Sequence, residues 1–337
     1  MVAFLRPVLG LIDTPQPMKF PLLWLVLVVQ CALPSLWSAE KSYTIAVIPM
    51  GTTHEYWKLL RAGALKAQAE FQQKGLAVEI IWKGPLREDD RDQQVQVVEN
   101  FIGRRVSGIV LAPLDAHALV APVEQAVRAG IPVAIVDSGL KSNAPISVIS
   151  TDNHAGGRLA AQRLGTLLNG VGNVILLRVQ VGAASSEQRE AGFLDEIQKN
   201  FPKIKVISSN QHGGATRETA LVAAQNLLNR YRTQVNGIFT PNESTTAGML
   251  LALSNIGLSG GKVRLIGFAN SQRFIEALQR RDLQGLILQD PVKMGYLGVK
   301  TIVESLQGKK APATVDTGVV LATSENLQDP AVAALLP

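Results

Sequence analysis

His54, Tyr56 and Trp57 stand together in the run His54-Glu-Tyr-Trp57, where the apolar stretch 44–49 gives way to a polar turn. Tyrosine and tryptophan offer flat apolar faces with a polar handle, which suits the C–H face of a sugar ring, and a histidine hydrogen-bonds hydroxyls. In an open parallel α/β sheet a ligand lies beyond the carboxyl ends of the strands, so a loop of this composition after the first strand faces a ligand crevice. The competing reading packs the two aromatics into the core at a helix start.

Other chemistry finds little support. After the first strand stands Met50-Gly-Thr-Thr-His-Glu55, which is no dinucleotide fingerprint. Gly257-Leu-Ser-Gly-Gly-Lys262 lacks the spacing of a phosphate loop and the hydroxyl residue after its lysine. His54, His117, His154 and His212 form no metal-ligand pair at helical spacing. The expectation is a protein that is not an enzyme, with no catalytic residues, no cofactor and no metal.

The elements that must position the aromatic loop are expected as strands at 44–50, 77–83, 109–113, 132–138, 147–151, 173–179, 205–210, 237–241, 263–269, 284–289 and 317–322. Amphipathic helical stretches fill most of the gaps, and this alternation predicts parallel sheets covered by helices on both faces. The near-continuous apolar runs at 109–112 and 132–136 read as strands buried on both sides.

Lys19, the apolar run 20–33 and the stretch 34–39 follow the order of a secretory signal. A leader is expected over residues 1–38, with Met18 as an alternative start and a retained anchor as the competing reading. Cys31, the one cysteine, would leave with it, so the mature chain would hold no disulfide and no thiolate metal site. The net charge of +6 falls to +5 when Arg6, Lys19 and Asp13 are removed, and the basic residues are scattered, so no nucleic-acid partner is expected. The roughly 300 remaining residues suffice for two domains.

In order along the chain stand the aromatic loop, Ile131-Pro-Val-Ala-Ile-Val-Asp137, Thr151-Asp-Asn-His-Ala-Gly-Gly157, Arg189-Glu-Ala-Gly-Phe193, Phe239-Thr-Pro-Asn242, Leu265-Ile-Gly-Phe268 and Ile287-Leu-Gln-Asp290. With these segments the chain, from about Thr44 to Thr323, resembles the type I periplasmic binding proteins of the ribose and galactose family, whose fold is shared by lac-repressor-type sensor domains. The resemblance implies two similar doubly wound parallel-sheet domains joined by a hinge of three crossovers near residues 150, 290 and 318. The N-terminal domain would comprise 42–150 plus 290–318, and the C-terminal domain 151–289 plus 319–337.

It further implies a periplasmic monomer that closes on a small neutral carbohydrate, a sugar or polyol, and delivers it to the permease of an ABC importer. Presentation of the ligand to a chemoreceptor or sensor kinase is the alternative. A transcription regulator of this fold would carry a DNA-reading helix-turn-helix where this chain has its apolar leader.

Carried over residue by residue, the resemblance puts His54, Tyr56 and Trp57 in the first pocket loop and Asp137 as a hydroxyl acceptor. Arg189 would reach in from the second domain, solvated when the cleft is open, with Asn242 after a strand and Gln289 beside a crossover. On their own, Asp137 and Asn242 also read as helix caps, Arg189 as a surface ion-pair partner, and Asp152 and Asn153 as capping or hinge residues. Ala112, Ser138, Gly214 or its neighbour, and Ala269 depart from the ribose-type pattern, which implies an enlarged, less polar pocket and a preferred ligand other than ribose. Asn270, Ser271, Asp115 and the charged loop Arg87-Glu-Asp-Asp-Arg91, with its Asp89 and Asp90, are the candidates to replace the missing contacts, against a reading of that loop as a solvated helix start, and Asn270 joins the expected ligand-binding set.

Overall fold

Alternating strand residues face opposite sides of a sheet, so a strand that is apolar throughout needs helices on both faces. In β1 (Ser42–Ile48), Ile45 and Val47 pack into one hydrophobic cluster and Ala46 and Ile48 into another. The first cluster lies under α1 (Glu55–Gln73) and α9 (Pro291–Leu306), the second under α2 (Arg91–Gly103) and α3 (Val120–Arg128).

The computed structural model describes Gly10, residues 13–16 and residues 42–336, so the cleavage site and nearly all of the expected leader lie outside the described residues. Among the described residues no helix is long and apolar enough to cross a membrane.

The first sheet joins β1 to β2 (Ala77–Trp82), β3 (Gly108–Leu111), β4 (Val133–Val136), β5 (Ser147–Ser150) and β11 (Thr314–Asp316) in the order β11-β5-β4-β3-β1-β2, all parallel. The second joins β6 (Gly172–Leu176), β7 (Ile204–Ser208), β8 (Gly237–Phe239), β9 (Arg264–Phe268), β10 (Gly285–Leu288) and β12 (Val320–Ala322) in the order β12-β10-β9-β8-β6-β7. Its helices are α4 (Asn153–Leu167) and α5 (Ala184–Asn200) on one face and α6 (Arg217–Tyr231), α7 (Glu243–Asn255) and α8 (Gln272–Gln279) on the other. A short α10 (Pro330–Ala333) ends the chain's regular structure.

Two features differ from the strand pattern read in the sequence. The single strand expected at 317–322 is replaced by two, β11 on the first sheet and β12 on the second, divided at Gly318, whose φ of +87° suits glycine. β12 pairs antiparallel with β10, so the second sheet is parallel except at that edge.

The chain passes between the sheets at Thr151–Asp152, Gln289–Asp290 and Thr317–Gly318. The first two passages end in the same device. Asp152 accepts from Ala155 N at 2.8 Å to cap α4, and Asp290 accepts from Lys293 N at 2.8 Å to cap α9. The first and third passages are tied directly, since Asp152 N donates to Asp316 Oδ1 at 3.2 Å and Thr151 Oγ1 to Gly318 O at 3.2 Å.

The helices after the first two passages pack backbone to backbone, α4 on α5 and α9 on α1. A Cβ at Gly157 would lie 2.0 Å from Arg189 O and one at Gly192 2.1 Å from His154 O; Gly63 and Gly295 bring α1 and α9 equally close. Only glycine permits this approach.

Candidate functional site

The carboxyl ends of the strands in both sheets converge on one cavity. From the first sheet come Met50, His54, Tyr56 and Trp57 after β1, Glu88 after β2 and Asp137 after β4. From the second come Gln180, Ser185, Ser186 and Arg189 after β6, Asn242 and Glu243 after β8, Phe268 and Ala269 at the end of β9, and Gln289 after β10.

Tyr56 and Trp57 are both buried and meet edge to face, with ring centroids 4.9 Å apart and planes at 88°. Each ring is fixed by a carboxylate. Tyr56 Oη donates to Asp137 Oδ1 at 2.6 Å, and Trp57 Nε1 donates to Glu88 Oε1 at 2.6 Å. His54 Nδ1 reaches the same Glu88 oxygen at 2.8 Å. The core packing and the cavity lining foreseen for the aromatics thus coexist.

Asp137 is the middle of a three-residue turn, with Ser138 N donating to Val136 O at 2.7 Å and φ of +64° at Asp137. A non-glycine residue in this region costs on the order of 1–3 kcal/mol and persists where its surroundings hold it. The strain turns the carboxylate into the cavity. Asp137 does not cap a helix.

Arg189 lies in the second turn of α5, which begins at Ala184. With the cavity closed, Arg189 is 4% exposed. Its Nε donates to Asn153 Oδ1 at 2.8 Å, Nη1 to Pro241 O at 3.0 Å and Nη2 to Gln289 Oε1 at 3.1 Å. The guanidinium carbon sits 3.8 Å from the Phe268 ring centroid. Asn153 therefore positions this arginine, a role beyond the capping and hinge geometry expected of it, which Asp152 fulfils.

Burial sets the protonation of these groups. It raises the Asp137 pKa despite the nearby Arg189 charge and the Tyr56 hydrogen bond, and it lowers that of Arg189. Burial also opposes charge on His54 and Glu88, but there their mutual attraction and hydrogen bond win. The imidazole pKa is raised and the Glu88 pKa lowered.

Asn242 does two things. Its Oδ1 accepts from Thr245 N at 3.0 Å, capping α7 as foreseen, while the residue also lines the cavity. Asn270 is a correction. Its Nδ2 donates to Gln289 O at 2.9 Å and Leu335 O at 2.8 Å and its Oδ1 accepts from Gln289 N at 3.2 Å, so the side chain serves the backbone behind the cavity.

The other candidate replacements are likewise occupied elsewhere. Asp89 pairs with Arg87, Asp90 caps α2, Asp115 pairs with Arg91 and caps the turn at His117, and Ser271 donates to Glu55. Helix starts and surface ion pairs claim these short side chains. Of the four departures from the ribose-type pattern, only Ala269 lines the cavity. Glu243, Ser185, Ser186 and Gln180 supply polar lining that the pattern did not reveal, while Glu88 is the one residue of the candidate loop 87–91 that lines the cavity. Glu88 lay within the charged run 87–91, where spacing did not distinguish it from Asp89 and Asp90.

Contacts between the two halves close the cavity. Ser185 N donates to Ser138 Oγ at 3.1 Å, Ala116 N donates to Gly182 O at 2.9 Å, Gln180 Nε2 donates to Glu88 O at 2.8 Å, and Ser271 Oγ donates to Glu55 Oε2 at 2.7 Å. Among the described residues no cluster of His, Cys, Asp and Glu could hold a metal ion.

Two six-stranded sheets wound by helices, crossed three times by the chain, with a polar and aromatic cavity between their carboxyl edges, define a type I periplasmic binding protein fold. The family model described as periplasmic binding protein domain matches residues 45–310, and the chain belongs to that family. It is 25% identical over 296 residues to the ribose import binding protein of Bacillus subtilis, covering 88% of this chain and 92% of the relative. Among solved structures it is similar to a carbohydrate transporter solute-binding protein from Agrobacterium radiobacter in complex with D-arabinose, at 33% identity, TM-score 0.81 and coverage of 88% and 99%. A solute-binding protein from Agrobacterium vitis with bound D-fucose matches at 33% identity and TM-score 0.82, covering 87% of this chain and all of that one.

Proposed function

We propose that this protein is the periplasmic carbohydrate-binding component of an ABC importer. One observation carries the reading. Seven side chains singled out in the sequence, His54, Tyr56, Trp57, Asp137, Arg189, Asn242 and Gln289, line one cavity fed by both sheets. Aromatic faces for a ring's C–H groups, carboxylates that accept from hydroxyls and a guanidinium and amides that donate to them are the functions a small neutral sugar requires. Relatives that bind ribose, D-arabinose and D-fucose support the same class of ligand.

Binding is by hinge closure. Residues 42–150 plus 290–318 form one domain and 151–289 plus 319–337 the other, turning about the three passages, and the ligand favours closure because it touches both. The closed monomer docks transiently on a membrane permease. The leader 1–38 directs export and is removed.

Titration calorimetry of the mature protein against pentoses, hexoses and polyols tests the reading. Saturable binding of a monosaccharide or polyol is expected, with ribose not the tightest, because Glu88 and Glu243 give the cavity its own pattern of acceptors. Binding of only amino acids, nucleotides or metal ions would overturn it. Mass spectrometry of periplasmic protein is expected to find an N-terminus near Ala39 or Glu40.

A further inference from the structure

Glu88 follows β2 and lines the cavity, with its side chain 11% exposed. Its two carboxylate oxygens differ. Oε1 accepts from Trp57 Nε1 at 2.6 Å and lies 2.8 Å from His54 Nδ1, so the group is pinned from one side. Oε2 accepts from no described residue, and yet it is not sealed in. Among the described residues the buried side-chain atoms without a partner are Ser147 Oγ, Arg217 Nε and Glu243 Oε2. An unpaired oxygen outside that set keeps accessible surface, and the space that Glu88 borders is the cavity.

The donors around it are committed. Gln180 Nε2 donates to the Glu88 backbone O, and Arg189 is held by Asn153, Pro241 and Gln289. Burial works against charge on Glu88, but the His54 charge and the hydrogen bonds from His54 and Trp57 outweigh it and hold the pKa below the ordinary 4.5. The carboxyl is therefore ionised and only accepts. The rest of the run 87–91 is occupied outside the cavity, since Arg87 pairs with Asp89, Asp90 caps α2 and Arg91 pairs with Asp115.

We propose that Glu88 is a specificity-determining residue whose Oε2 accepts a hydrogen bond from one hydroxyl of the bound carbohydrate, while Oε1 stays with Trp57 and His54. This rests on the carbohydrate reading above. A carboxylate has no proton to give, so the ligand atom that meets it must be a donor. Hydrogen at that position leaves the oxygen unpaired, and fluorine sets two acceptors against each other, so both analogues are rejected.

Calorimetry on the mature protein with D-ribose, D-arabinose, D-allose, D-galactose and D-glucose identifies the tightest binder, which is then compared with its monodeoxy and deoxyfluoro analogues at each hydroxyl. At one position wild-type protein is expected to lose at least about tenfold in affinity for the deoxy analogue and no less for the deoxyfluoro one. Glu88→Ala is expected to stop distinguishing that position while the others keep their ranking. Glu88→Gln keeps an oxygen for Trp57 and turns its amide donor to the cavity, so at that position alone the deoxyfluoro analogue is expected to bind no worse than the deoxy one; it is the variant read if the alanine protein does not fold. Equal weakening across the whole series would show that Glu88 acts only by holding Trp57 and His54. That result, or an unchanged series in both variants, overturns the assignment to Glu88 and leaves sugar binding standing. Failure of every sugar to bind wild-type protein overturns the carbohydrate reading, and this inference with it.

Discussion

Tyr56 Oη and Asp137 Oδ1 are 2.6 Å apart although 81 residues separate them in the chain. The bond joins the start of α1 to the strained turn after β4, so one contact fixes both an aromatic face and a carboxylate of the cavity. Tyr56→Phe keeps the ring and deletes the donor to a buried carboxylate. It is expected to cost about 1–3 kcal/mol of stability and to weaken sugar binding. Thermal denaturation and calorimetry together check this; unchanged values in both would mean that Asp137 is held without the tyrosine.

Arg189→Ala is expected to lower both affinity and apo stability. Three acceptors, Asn153 Oδ1, Pro241 O and Gln289 Oε1, lose their donor inside the protein. Leaving such groups unpaired costs about 1–3 kcal/mol each, so a stability loss on the order of 3 kcal/mol or more follows. Lysine should not rescue, because it cannot fill the fork and stack on Phe268 together. A variant with wild-type melting temperature would show the guanidinium to be solvated after all.

The His54–Glu88 pair predicts a pH-dependent stability. His54 has a folded pKa above its ordinary 6.5, so its contribution is complete below that value and fades as pH rises through the folded pKa. Glu88 has a folded pKa below its ordinary 4.5, so its contribution is complete above 4.5 and fades as pH falls through the folded pKa. The pair therefore contributes most between 4.5 and 6.5. Melting temperatures of wild type and Glu88→Gln should differ most near about pH 6 and differ less towards about pH 9, as His54 loses its proton. A constant difference across that range would contradict the pairing.

Gly157→Ala would place a methyl 2.0 Å from Arg189 O and force α4 and α5 apart. Overpacking of this kind costs about 1–3 kcal/mol. Because the displaced backbone carries Arg189, affinity is expected to fall together with melting temperature. Loss of neither would show that the helices separate without strain.

The sequence alone determined the architecture, because strands buried on both faces must be apolar throughout and helices between them must be amphipathic, and both patterns are local. It also carried the cavity residues that sit at strand ends in recognisable segments, such as Trp57, Asp137 and Gln289. What it could not separate was one short polar residue from the next. Asn270 and Glu243 each follow an apolar strand by two to four residues, yet Asn270 binds backbone and Glu243 lines the cavity. Asp89 and Asp90 differ from Glu88 by one or two positions, and only Glu88 turns inward to Trp57 and His54. The split of the last expected strand between two sheets and the anchoring of Arg189 on Asn153, Pro241 and Gln289 belong to the same class. Each depends on which groups from distant parts of the chain arrive within hydrogen-bond distance, and that is set by the packing of the two sheets rather than by any local pattern.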